Sequence, residues 1–84
     1  MQKPTIHLNG TSRESLADMY EASASAVWAA LRVLEQSGPN ARDYYVQSDI
    51  AFTAAVKEHR ARLEALHNIH EELMELWESV VPTP

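Results

Sequence analysis

Two short polar stretches of this chain concentrate side chains suited to binding. Residues 6–13 (IHLNGTSR) carry Asn9, Thr11 and Arg13, and residues 40–45 (NARDYY) carry Asn40, Arg42, Tyr44 and Tyr45. An arginine fork grips a phosphate through two parallel hydrogen bonds, a tyrosine ring stacks on a flat base, and an asparagine amide offers both a donor and an acceptor. A helix starting at Thr11 would add unpaired backbone amides that favour an anion. This chemistry suits a nucleotide-like ligand. A plainer reading gives the second stretch only structural work: Asn40 and Asp43 make turns, Tyr44 and Tyr45 cover the end of a core, and Arg42 pairs with Asp43.

Other constellations are less complete. His59 and His70 fall on an apolar helical seam, where an imidazole can be a ligand, a pH switch or a half-buried polar residue that sets register; the register role is the one adopted. His67 and His70 with Glu71 could form one face of a metal site, but a single helix supplies all three and no tetrahedral set is visible. The Glu64-x-x-His67 spacing is similar to that of ferritin-like di-iron carboxylate proteins, in which dimerisation can complete the site. Glu21 and Glu35 are the helix-one carboxylates available to it, and Glu64 and His67 lie one position off the seam. No nucleophile elbow or serine–histidine–aspartate arrangement is present, and Gly10 and Gly38 are the only glycines, too few for a phosphate-cradling loop. The expectation is a protein that is not an enzyme and uses no metal or other cofactor.

These residues must be held by two helices. Residues 1–10 read as an arm, since Pro4 biases Lys3 away from helix and Asn9-Gly10 signals a turn. Thr11 and Glu14 match a capping box, so helix one is predicted over residues 11–37. Leu16, Tyr20, Ala24, Val27, Leu31 and Leu34 recur at steps of three and four and share a face. Gly38 suits the left-handed position after a helix, and Pro39 cannot continue one. Residues 38–48 are the connector, and Ser48 or Asp49 caps helix two, predicted over residues 49–81. Phe52, Val56, His59, Leu63, Leu66, His70, Leu73, Trp77 and Val80 make an unbroken heptad seam along it. A second line, Leu66, Ile69, Leu73, Leu76 and Val80, widens that face, and Pro82 and Pro84 close the chain. The expected fold is all-α, an antiparallel two-helix hairpin in one domain spanning residues 1–84. A lone hairpin leaves its seams half covered and Met19, Trp28 and Val33 off the main face, so it is expected to oligomerise into a helical bundle.

Composition agrees with a small assembly. A chain of 84 residues buries only about 60% of its unfolded surface, and without cysteine neither disulfides nor thiolate-bound metal can reinforce it. The net charge of −5 argues against binding duplex nucleic acid, which draws affinity from Lys and Arg. All seven basic residues precede Leu63, and five Glu follow it, so a local basic site remains available to a small anion. Neither a membrane-spanning run nor a secretory signal is seen in the sequence. The expectation is a cytoplasmic protein, in which Asn9-Gly10-Thr11 would not act as a glycosylation acceptor.

The two polar stretches, IHLNGTSRE at residues 6–14 and NARDYY at residues 40–45, resemble those of a family of small tailed-phage and prophage proteins that carry them before and between two helices. The resemblance implies a small accessory phage product working in the host cytoplasm. By analogy with other small helical phage oligomers, it points to an anti-defence sponge that sequesters a nucleotide-derived immune signal. The alternative is a non-enzymatic structural or protein-interaction module that docks a host or virion protein, and a metal-binding carboxylate bundle ranks third. The two polar stretches lie at opposite ends of a hairpin, so they cannot share one compact pocket unless the arm folds along the hairpin; an antiparallel partner whose arm meets the connector is the arrangement expected.

Overall fold

The computed structural model describes residues 1–81; Pro82 and Pro84 lie outside the described residues. Helix α1 spans Arg13–Glu35, a single 3-10 turn covers Ala41–Asp43, and helix α2 spans Asp49–Val80. The two long helices pack against each other as an antiparallel hairpin, with no strand among the described residues. The molecule measures 61 × 23 × 20 Å.

Helix α1 starts one residue later than a cap at Thr11 would have it. Ser12 has the extended backbone of a cap (φ −63°, ψ 153°), its Oγ accepts from the Ser15 amide at 3.1 Å, and the first helical bond runs from the Leu16 amide to the Ser12 carbonyl. Glu14 therefore sits at the second helical position, one short of where a capping-box carboxylate reaches back; there it favours the helix through the positive end of the backbone dipole. In α2 the Ser48 Oγ accepts from the Ala51 amide at 3.0 Å, which settles Ser48 as its cap.

The end of α1 also differs from expectation, because no described residue has a positive φ, Gly38 included. The last turn tightens instead: the Gln36 amide donates to Val33, the Ser37 amide to Leu34, and the Ser37 hydroxyl donates to the Val33 carbonyl at 2.8 Å. Those bonds satisfy the carbonyls that a left-handed glycine cap would otherwise serve. Gly38 faces His59, where an added Cβ would lie 3.5 Å from Nε2, an ordinary contact.

The helices differ in length, 23 residues against 32, so about 14 Å of α2 extends past α1 at 1.5 Å per residue. Residues 36–48 fill that length by running alongside α2, with Gly38 at His59 and the Tyr44 ring 6.1 Å from that of Phe52. Every predicted seam residue of both helices is at least half covered. Among the described residues only Ala24, Leu31 and Val80 are buried, as expected where two helices cover one another along a single stripe.

The apolar residues off this stripe do not form one patch. Met19 and Trp28 are separated by about two and a half helical turns and so project from opposite flanks of α1. Val33 and Ile69 are exposed as well.

Candidate ligand-binding site

At the open end of the hairpin, the Arg13 guanidinium Nη1 donates to the Val80 carbonyl at 3.0 Å. The last carbonyls of a helix lack intrahelical partners and carry the negative end of its dipole, and α2 has no basic residue of its own in its last turn. Arg13 therefore serves as a cap delivered from the neighbouring helix. Asn9 and Thr11 are exposed in the arm just before it. There the Gly10 amide donates to the His7 carbonyl, and the His7 imidazole lies so close over Gly10 that an added Cβ would come within 2.7 Å of Nε2. A side chain at position 10 would displace that ring.

At the closed end, Asn40 caps the 3-10 turn, its Oδ1 accepting from the Arg42 amide at 3.1 Å. The half-buried Tyr44 ring packs at 45° against Phe52 and closes the end of the core. Arg42 and Tyr45 are different. Both are exposed, Tyr45 at 74%, and among the described residues neither side chain makes a hydrogen bond, ring contact or ion pair. The Arg42–Asp43 pair of the plainer reading does not form; among the described residues the ion pair is Arg62–Glu58, one turn apart at 3.9 Å. Tyr45 likewise stands away from the core that the plainer reading had it cover.

The structure thus divides the seven candidates. Asn9, Thr11 and Arg13 are gathered at one end and Asn40, Arg42, Tyr44 and Tyr45 at the other. Val80, beside Arg13, and Phe52, beside Tyr44, are about 42 Å apart along α2. Within one chain these groups cannot contact one small ligand.

Sequence reasoning missed two features. A cleft of about 190 Å³ beside Tyr44 is lined by Ser37, Glu58, His59 and Arg62; it exists because the connector lies along α2, a path that no local signal in residues 36–48 announces. An open groove of about 490 Å³ on one flank is lined by Glu21, Ser25, Trp28, His70, Met74 and Trp77. In it the Trp28 indole lies 5.1 Å from the His70 ring, tilted by 46°, and meets His67 edge-on at 6.3 Å. Trp28 belonged to no predicted face, so only its neighbours on α2 reveal the groove.

His67 and His70 are therefore ring partners of Trp28, and among the described residues no three histidine, aspartate or glutamate side chains converge to hold a metal ion. Within those residues no helix is long and apolar enough to cross a membrane. Comparison with protein-family models, curated proteins and solved structures finds no match.

Proposed function

We propose that the chain is a non-enzymatic, oligomeric binding protein of phage origin, a sponge that sequesters a nucleotide-derived immune signal in the host cytoplasm. The observation that carries this reading is the freedom of Arg42 and Tyr45. A turn needs neither a guanidinium nor a phenol, Asn40 already makes the turn, and Tyr44 already closes the core. Arg42 supplies a fork for a phosphate and Tyr45 a face for a base. Asn9 and Thr11 complete the pocket from a neighbouring subunit, while Arg13 is held by its bond to α2 and contributes chiefly by fixing the arm. The resemblance of residues 6–14 and 40–45 to tailed-phage proteins supports the biological setting.

The test is a melting-temperature screen against cyclic nucleotides and ADP-ribose derivatives, followed by titration of any ligand that stabilises the protein. Arg42→Ala removes a charge-assisted contact worth about 1.5 to 3 kcal/mol, roughly ten- to hundred-fold in affinity, and Tyr45→Ala a stacking contact worth about 1 to 3 kcal/mol. Both residues are exposed, so helicity should not change. Full affinity in both variants would overturn the assignment. Exposed Met19, Val33 and Ile69 favour the second reading, a module that docks a host or virion protein, and that reading takes over if no nucleotide of the panel stabilises the protein.

A further inference from the structure

The flank that carries the Trp28 groove is also divided by charge. Residues eighteen apart in an α-helix are separated by about five turns and point the same way, so Val56 lies in line with Met74 and Arg60 with Glu78. Arg60 and Val56 line one hollow on α2, and Met74 lines the Trp28 groove farther along; these are stations on one face. Toward the closed end that face carries Arg32, Lys57 and Arg60 against two acids, Glu35 and Asp49, the latter sharing a hollow with Lys57. Toward the open end it carries Glu14, Glu21, Glu71, Glu75 and Glu78, and the base there, Arg13, which shares a hollow with Glu14, is bonded to the Val80 carbonyl. Between the two lie the exposed Trp28 and its partner rings, His67 and His70.

A face that is basic at one end, aromatic in the middle and acidic at the other complements itself when turned end for end. We propose that this face docks a second copy of the same chain across a two-fold axis passing near Glu64 and His67. The proposal rests on the oligomeric reading above and specifies its surface and register. With the axis there, Arg60 stands across from the partner's Glu71, Lys57 from the partner's Glu75, and Glu64 from the partner's His67. Trp28, level with His67, comes close to its own symmetry copy and is covered.

Three physical considerations favour this occupant. Along α2 opposite charges are matched on both sides of the axis at once, because two-fold symmetry repeats each pairing, and these pairs outnumber the one like-charge approach on α1, where Glu21 stands across from the partner's Glu35; a parallel arrangement would set acid against acid along the whole open end. The face runs along a molecule 61 Å long and at least 20 Å wide, enough for the roughly 800 Å² per partner of a standard interface. The aromatic centre framed by polar ends has the layout of an interface core and rim. The register also has a consequence that charge matching did not presuppose. It sets Phe52, at the level of Tyr44, opposite the partner's Ser79, and so brings the connector of each chain to the partner's arm, where Asn9 and Thr11 lie.

Sedimentation equilibrium at low ionic strength tests the pairing by charge reversal. Arg60→Glu alone and Glu71→Arg alone each turn two attractions per dimer into repulsions and should raise the dissociation constant at least about tenfold. The double variant R60E/E71R exchanges the signs and should return to within about threefold of the unaltered protein. Both positions are exposed in the hairpin, so circular dichroism should show the same helix content throughout. The absence of cysteine permits a second measurement: Glu64→Cys, near the axis, should cross-link into a dimer on mild oxidation, whereas Glu78→Cys, which faces the partner's Thr53, should not. The docking face is overturned by an unaltered protein that is monomeric at about 100 μM, by single variants that assemble as well as the parent, by a double variant as weak as the singles, or by cross-linking at position 78 as readily as at 64. Nucleotide binding that survives with assembly indifferent to these charges would remove the face and leave the ligand reading. Assembly that obeys the charges in a protein no nucleotide stabilises would do the reverse.

Discussion

Arg13 illustrates how one side chain can look like a ligand contact and prove to have another task. Its hydrogen bond to the Val80 carbonyl ties the first residue of one helix to the last turn of the other, where α2 supplies no cation itself. A charged donor gives such a bond about 1.5 to 3 kcal/mol when shielded, and the exposure of Arg13 reduces that to about 1 kcal/mol through solvent screening. Arg13→Ala should accordingly lower the melting temperature by about 4 to 8 °C for a domain of this size, with Arg13→Lys recovering part of the loss. A melting temperature equal to that of the parent would mean that the bond contributes nothing. Arg42→Ala should show the opposite profile, with unchanged melting and loss of ligand affinity, because no partner in the hairpin depends on it.

The elements owe their boundaries to hydroxyl caps. Ser12 and Ser48 each accept from the amide three residues on, and removing such an acceptor costs about 1 kcal/mol. Ser12→Ala should therefore destabilise α1 while Thr11→Ala leaves unfolding by heat or urea within about 0.3 kcal/mol of the parent. The reverse order would put the cap back at Thr11. The two hydroxyls are adjacent, both satisfy the local rule for a cap, and Glu14 fits a box only with Thr11. The helix that starts at Arg13 is also the one whose first side chain reaches the far end of α2. The heptad seam of α2 rests on spacing, a property of the helix alone, and each seam residue is at least half covered by α1 or the connector.

At the scale of the whole molecule, the described residues include three fully buried side chains in a body 61 Å long, and Met19, Trp28, Val33 and Ile69 are among the large apolar side chains left exposed. If the pocket is shared between antiparallel subunits, Asn9→Ala and Arg42→Ala damage the same site from different chains. Homodimers of either variant carry one lesion in every pocket. In a mixed dimer, by contrast, one pocket has both lesions and the other has neither. Co-expression with two affinity tags should therefore yield heterodimers in which half the sites bind ligand at the parental affinity. Titration of purified heterodimers that finds no such sites would rule out the shared pocket.

The amino-acid sequence by itself determined the helices, the faces they turn to each other and their antiparallel sense, because helical periodicity, caps and connector length are properties of contiguous residues. It also marked the two polar stretches as chemically unusual. Tertiary structure decided which of their side chains are occupied. Arg13 is taken by a carbonyl 67 positions away, Tyr44 by Phe52 across the connector, and Trp28 by two histidines of the other helix, whereas Arg42 and Tyr45 have no such partner among the described residues. Each of these outcomes depends on the axial register of α1 against α2. That register is set by how both seams and the connector pack at once, a condition on residues far apart in the chain that no local pattern encodes.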